Sequence, residues 1–275
     1  MPPSTRGPAP RLHLSVDDVA VCLRDLTERP SDPWGHPTFG YLRALHERAG
    51  VVVSLYLFER ADGWRLGRMP ARYRAAFASA AGWLRFAFHA RDAGRDYGTG
   101  GVSVAAAAED YRRVVREIGR FAGAASIDRM PRVHRFRGRA DVVRAWRDEH
   151  DGIRGLLCAD DDRPEVYHLD AAARDALRRD GVAFDDRERL HLAASLTRLE
   201  GPFGDVARRL DEAAATPAAC AGAPICLFTH EQHLGAEVVQ RRIAAVLRWA
   251  QRRGAEHAFP LDVLDAQARA SRERS

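Results

Sequence analysis

Seven short apolar runs alternate with amphipathic stretches along this chain, and the alternation limits the folds that the chain can adopt. The runs are LHLSV (12–16), VVVSLYLF (51–58), WLRFAFH (83–89), RVHRF (132–136), GLLCA (155–159), LHLAASLT (190–197) and ICLFT (225–229). Their length, β-branched content and continuous apolarity are typical of strands that are buried on both faces. We therefore predict seven strands of a buried sheet.

Helical patterns lie between these runs. They cover 38–49, 104–122, 139–150, 170–180, 205–215 and 236–252. The last of them repeats its apolar positions every three or four residues and ends in arginines, which suit a helix C-terminus. Strands that alternate with helices favour a parallel sheet with helical crossovers. The sequence thus predicts an α/β fold, a single-domain, distorted (β/α)7 TIM-like barrel over residues 12–252.

Both ends of the chain differ from this pattern. The first ten residues contain four prolines and little apolar surface, so we expect residues 1–11 to form a disordered arm. We expect residues 253–275 to form a polar tail. The N-terminus lacks the apolar segment of a secretory signal, and no run approaches the roughly 18–20 apolar residues of a membrane span. The sequence predicts a cytoplasmic protein without a membrane span.

The basic residues of the chain are all arginine. All 43 Lys+Arg positions are occupied by Arg, which excludes Schiff-base lysine chemistry and a P-loop lysine. The net charge is +5, but the 38 acidic residues are interspersed with the arginines. This mixture is typical of a solvated surface, so we expect no nucleic-acid partner.

Polar side chains gather where the predicted strands end. They are Asp17 and Asp18, His89, His134 and Arg135, Asp160 to Asp162 with Arg163, and His230 with Glu231. In barrels of this kind functional groups cluster at the carboxyl ends of the strands. We therefore expect these groups to share one end of the fold.

Asp17 and Asp18 are the most informative of these residues. Adjacent carboxylates repel each other unless a cation or a hydrogen-bond donor lies nearby. One of them can bind a metal while the other faces the substrate as a base; alternatively, an Asp caps a helix that starts near residue 19. Together, Asp18, His89 and His134 would supply one carboxylate and two imidazoles, a common set for a divalent metal.

Other catalytic motifs are missing. THEQH is not the zincin motif HExxH, because only two residues separate His230 from His233. GTGGVS (98–103) lacks the GxGxxG spacing of a dinucleotide site, and no GxSxG elbow occurs.

With these residues in view, the chain resembles the polysaccharide deacetylase superfamily, which includes NodB-like proteins and carbohydrate esterase family four. The matching sequence motifs are SVDD, FHARDA, RVHRF and ICLFTH, and they occur in the same order along the chain as the motifs of the family. The resemblance implies that Asp17 is the catalytic base and Asp18 a metal ligand. It further implies that Arg135 steadies the base and that His230 is the acid that protonates the leaving nitrogen.

The chain departs from the family at its second motif, HxxxH, where Ala93 occupies the place of the second histidine. Either His134 or Asp92 would replace that histidine, with His134 the third ligand beside Asp18 and His89. The resemblance implies a divalent metal, in the first place zinc and otherwise cobalt, nickel or manganese. The expected reaction removes an acyl group, such as acetyl, from a small or carrier-linked N-acylated sugar or related amide. The alternative is a carbohydrate-binding barrel that has lost its metal site and is catalytically impaired.

Overall fold

The computed structural model describes residues 8–159 and 165–273. The strands are β1 (Arg11–Val19), β2 (Val53–Phe58), β3 (Arg60–Ala61), β4 (Trp64–Arg65), β5 (Leu84–Ala90), β6 (Gly155–Ala159), β7 (Val182–Asp185), β8 (Leu190–Arg198), β9 (Pro224–His230) and β10 (Glu256–His257). The helices are α1 (Val21–Glu28), α2 (Pro37–Ala49), α3 (Arg74–Ser79), α4 (Val104–Phe121), α5 (Ala140–Arg147), α6 (Ala171–Asp180), α7 (Val206–Ala214), α8 (Pro217–Cys220), α9 (Glu237–Arg253) and α10 (Pro260–Glu273). The predicted helices agree with α2, α4, α5, α6, α7 and α9.

The central sheet has the order β5-β2-β1-β9-β8-β6, and all neighbours along this path are parallel. Strand β10 adds to the amino end of β1, and β7 runs antiparallel to β8. The predicted α/β fold with a parallel sheet is therefore confirmed. The regular strands form an open path of six, whereas the predicted barrel required seven.

The sheet curls, so that one face becomes an inner face. Tyr56 of β2 and Leu157 of β6 lie far apart in the strand order, yet both belong to one buried apolar cluster with Ala87, Ala193 and Cys226. The opposite face packs against the helices and holds the larger core, which includes Leu12, Leu14 and Val16 of β1. Residues that alternate with these along β1, namely His13, Ser15 and Asp17, point inward and are buried.

The predicted strand at 132–136 is wrong. The extended segment lies slightly earlier, where the backbone of 127–131 bonds to both edges of the sheet. Asp128 donates its N–H to Phe86 of β5 at 2.8 Å, and Leu157 of β6 donates to Pro131 at 3.0 Å. A regular strand does not form there, since proline has no N–H for a ladder. Residues His134–Phe136 instead form a 3₁₀ turn.

The predicted polar tail at 253–275 is also wrong for the residues that the structure describes. After β10 the chain forms α10, which contacts β8 and β9. Leu261 and Leu264 of α10 join the inner-face cluster at the amino end of the sheet. The sequence analysis did not predict this helix, because the apolar spacing is confined to its first half and the second half is rich in arginine. In the part of the chain that the structure describes, no helix has the length and apolarity to cross a membrane.

Candidate active site

Two β-bulges shape the carboxyl end of the sheet. In β1, Val16 pairs with Leu55 and Val19 with Leu57, so Asp17 and Asp18 together face one residue of β2. Asp18 has a φ of 59°, a left-handed conformation that Asp tolerates better than most residues. In β5 the pairing skips His89 in the same way. Bulges redirect side chains, and here they involve two of the predicted metal ligands.

Asp18, His89 and His134 lie together. Asp18 Oδ1 is 3.1 Å from His89 Nε2 and 3.5 Å from His134 Nδ1, and the two imidazole nitrogens are 3.3 Å apart. His134 reaches the other two from the 3₁₀ turn that replaces the predicted strand. Asp92, the alternative to His134, instead accepts a hydrogen bond from Arg60 Nε at 3.1 Å.

The donor set suits a divalent cation. His89 Nδ1 lies 2.5 Å from the Arg132 carbonyl oxygen and must donate to it, which leaves the lone pair of Nε2 directed at Asp18 and His134. Ligands about 2.0–2.2 Å from a tetrahedral zinc ion lie roughly 3.3–3.5 Å from one another. The three observed separations of 3.1–3.5 Å therefore match such an ion. Burial raises the pKa of Asp18, but the hydrogen bonds from His134 and His89 lower it more, so that the carboxylate stays charged.

Asp17 is held by an arginine that the sequence analysis missed. Arg132 Nη1 donates to Asp17 Oδ1 at 2.7 Å and to Ser15 Oγ at 2.8 Å, while Nε and Nη2 of Arg132 contact Ser195 Oγ. Burial lowers the pKa of Arg132, but the Asp17 carboxylate raises it more. Arg132, which was not among the predicted site residues, is therefore the arginine that pairs with Asp17.

The difference between Arg132 and Arg135 has a backbone cause. Arg135 has a φ of 60° and the following Phe136 a φ of 57°. Such left-handed positions are uncommon outside glycine and often occur at functional sites. The turn directs Arg135 to the cavity described below, where it is one of the lining residues.

His230 pairs with Glu200, which lies just after β8. Glu200 Oε1 accepts a hydrogen bond from His230 Nδ1, and Oε2 accepts one from Thr229 Oγ1 at 2.8 Å. Burial lowers the pKa of His230, but the hydrogen bond to Glu200 and the nearby Asp17 charge raise it more. Glu200 was missed because it follows the predicted sixth strand by three residues, in the turn LTRLE.

A cavity of about 540 Å³ opens beside these groups. Asp17 and His230 line it on one side, and Phe136, Phe203 and Phe228 contribute aromatic surface. Arginine side chains, Arg135, Arg198 and Arg209, complete much of the polar lining. This combination of rings and N–H donors suits a ligand that has both hydroxyl groups and a hydrophobic face.

Two further predicted groups have different outcomes. The carboxylate of Glu231 binds the backbone at the start of α1. It therefore does the capping that one interpretation had given to an Asp at 17 or 18. Asp160, Asp161, Asp162 and Arg163 lie outside the described residues.

Comparison with known proteins returns structures only: no family model and no curated protein matches this chain. The CE4 domain of a multidomain xylanase from the hindgut metagenome of Trinervitermes trinervoides is similar, with 10% identity, a TM-score of 0.48, and coverage of 95% of this chain and 92% of that chain. An acetyl xylan esterase of family four from Clostridium thermocellum, solved with a cobalt ion, has 11% identity, a TM-score of 0.44, and coverage of 94% and 92%.

A polysaccharide deacetylase structure from Mycobacterium smegmatis has 13% identity, a TM-score of 0.45, and coverage of 97% of this chain and 95% of that chain. All three bear the name of carbohydrate esterase family four or of polysaccharide deacetylases, the family that the sequence motifs resemble. The chemistry of this chain depends on its own side chains.

Proposed function

We propose that this protein is a metal-dependent hydrolase that removes an acyl group, such as acetyl, from an N-acylated sugar or a related amide. The observation that carries the proposal is the convergence of Asp18 Oδ1, His89 Nε2 and His134 Nδ1 within 3.1–3.5 Å, next to the Asp17–Arg132 pair. Asp18, His89 and His134 would hold the ion, zinc by preference. A bound divalent ion polarises the amide carbonyl and activates water.

Asp17 is suited to be the general base. Its Oδ1 is engaged by Arg132, and its Oδ2 has no hydrogen-bond partner within residues 8–159 and 165–273. Because Asp17 lines the cavity, Oδ2 is the oxygen that accepts the proton of the attacking water. The buried guanidinium holds the Asp17 carboxylate in one orientation.

His230 is suited to be the general acid. Glu200 occupies its Nδ1, which leaves Nε2–H for the leaving group on the cavity side. Donation of that proton to the departing nitrogen produces the free amine, while the acyl carbon keeps the oxygen of water as a carboxylic acid. The negative charge of Glu200 stabilises the imidazolium before the transfer.

The experiment measures metal content and acetate release from N-acetylglucosamine and its short oligomers. Asp17→Asn preserves shape but cannot accept the proton, so we expect a loss of about 100- to 10,000-fold in rate with metal still bound. Asp18→Asn and His134→Ala should lose metal and activity together. Asp92→Asn is the matched control and should keep its metal.

Two results would overturn the proposal. If Asp17→Asn turns over at close to the wild-type rate, Asp17 is not the base. If the wild-type chain binds none of zinc, cobalt, nickel and manganese, the protein is a carbohydrate-binding relative without hydrolytic activity.

A further inference from the structure

Glu231 makes an unusual set of contacts directly after the candidate acid His230. Its Oε2 accepts the backbone N–H of Ala20 and of Val21, each at 2.8 Å, and its Oε1 accepts that of Cys22 at 2.7 Å. These donors belong to the first turn of α1, whose own N-cap, Ala20, offers no side-chain acceptor. One carboxylate from the end of β9 therefore satisfies three backbone donors at the end of β1.

The segment that Glu231 holds is the one that presents the bulged carboxylates. Asp18 lies two residues before Ala20 and has a left-handed φ of 59°. Backbone in such a conformation persists only where the surrounding structure over-determines it. The β1–β2 ladder brackets the bulge, with Val16 paired to Leu55 before it and Val19 to Leu57 after it. Glu231 fixes the backbone that follows directly, from Ala20 to Cys22.

We infer that Glu231 is a positioning residue. By joining the end of β9 to the start of α1, it fixes the position of Asp18 relative to His230. The inference rests on the proposed function, because it assigns Asp18 to the metal and His230 to proton donation. A carboxylate at the N-terminus of α1 also complements the helix dipole, which stabilises the same junction. Glu231 is neither among the residues that line the cavity nor part of the Asp18–His89–His134 group.

A helix cap and a positioning residue predict different results. Loss of a simple cap lowers the stability of the protein and leaves zinc affinity and kcat unchanged. Loss of a positioning residue weakens metal binding, since groups that orient metal ligands typically contribute 10- to 100-fold in affinity. It also lowers kcat more than it raises KM, because the cavity that binds the sugar remains in place.

The test compares Glu231→Gln and Glu231→Ala with wild type by zinc titration, steady-state kinetics and amide hydrogen exchange over residues 17–22. Glu237→Ala is the matched control: Glu237 is also a carboxylate in the first turn of a helix, exposed and paired with Arg241. We expect a zinc Kd raised roughly 10- to 100-fold in the Glu231 variants, with faster exchange over 17–22. The control should change neither. Glu231→Gln keeps the side-chain volume if Glu231→Ala fails to fold.

The outcomes separate the two claims. Folded Glu231 variants with wild-type zinc affinity and wild-type exchange over 17–22 would overturn the positioning role. A wild-type chain that binds none of zinc, cobalt, nickel and manganese would overturn the proposed function instead. In that case the exchange measurement still decides whether Glu231 fixes the backbone that carries Asp18.

Discussion

The inner face of the sheet carries buried polar residues at both ends, and the two ends differ in how these residues are partnered. At the carboxyl end, Asp17 and His230 each have one charged partner and one atom toward a cavity. At the amino end, Ser54 Oγ donates to Asp128 and lies 3.0 Å from His13 Nε2, behind the apolar residues of α10. Openness to a ligand, rather than buried polarity, therefore distinguishes the candidate site.

The amino end shows why residue types alone mislead. Ser54, His13 and Asp128 are the residue types of a nucleophilic triad, and all three are buried. However, the serine lies between the histidine and the carboxylate and gives its proton to Asp128. A nucleophilic serine needs the histidine in the middle and access to a substrate. The amino end is thus structural, and the predictions below test that contrast.

Arg132→Met should have the largest effect, because it removes the partner of a buried carboxylate. Breaking a buried ion pair from one side typically costs 3–5 kcal/mol in the free energy of unfolding. Urea denaturation measures that loss, and acetate release should fall with it. Arg137→Met is the control, since the Arg137–Asp96 pair is partly exposed and should contribute about 0–1 kcal/mol. Equal losses in the two variants would mean that Asp17 does not depend on Arg132.

Leu264→Ala should affect stability alone. Leu264 packs against the inner-face cluster at the amino end, and such a truncation leaves a cavity that costs about 2–5 kcal/mol. Zinc affinity and the pH dependence of kcat should match wild type at temperatures where the variant is folded. Zinc affinity that falls in this variant would show that the two ends are energetically coupled.

The loss of stability in acid should come from the amino end of the sheet, where His257 lies. Burial lowers the pKa of His257 from 6.5 to about 4, and neither of its ring nitrogens has a hydrogen-bond partner among the described residues. Between pH 6.5 and 4 the unfolded state binds the proton and the folded state does not. The free energy of unfolding should therefore decrease by roughly 2 kcal/mol as the pH falls through this range.

His257→Leu tests this pH dependence by removing the titrating ring. Urea denaturation at pH 7 and pH 4.5 should show a smaller difference for the variant than for wild type. An identical difference would assign the acid sensitivity to other groups. His230 has the opposite sign: because its pKa is raised, the stability that it contributes is present at low pH and is lost as the pH rises through its folded pKa.

Glu200→Gln should have the smallest effect, confined to the carboxyl end. Since the hydrogen bond to Glu200 raises the pKa of His230, its replacement should lower that pKa. The basic limb of the pH profile of kcat/KM should then move to lower pH, with a rate loss of roughly 10-fold above neutrality. Thr229→Val removes the neighbouring hydroxyl but leaves the charge, and its basic limb should not move. An unmoved limb in Glu200→Gln would exclude His230 as the acid.

Alternation in β1 shows what a sequence can predict here. The run LHLSVD places Leu12, Leu14 and Val16 on one face, and the intervening His13, Ser15 and Asp17 on the other, as the structure has them. Such periodicity is visible in the sequence because the polarity of each residue matches the face of the sheet on which its side chain lies. Most strand and helix positions were predictable for this reason.

The positions of the Arg132 and Asp18 side chains could not be predicted from the hydrophobic pattern of the sequence. Their roles depend on departures from regular geometry: the bulge in β1 and the left-handed turn at Arg135 and Phe136. An insertion of one residue or one change in φ redirects a side chain without altering the hydrophobic pattern. Contacts such as Glu200 with His230 further require knowledge of which loops meet.

The position of β1 in the sheet has a consequence for how the chain is made. Its neighbour β2 is complete by Phe58, but its other neighbour, β9, starts only at Pro224. At 5–20 residues per second, a ribosome needs roughly 8–33 s to add the intervening residues. Throughout that interval one edge of β1 remains without its partner, a surface prone to wrong pairing. Asp17 and His230, which are paired in register, cannot meet until β9 has been synthesised.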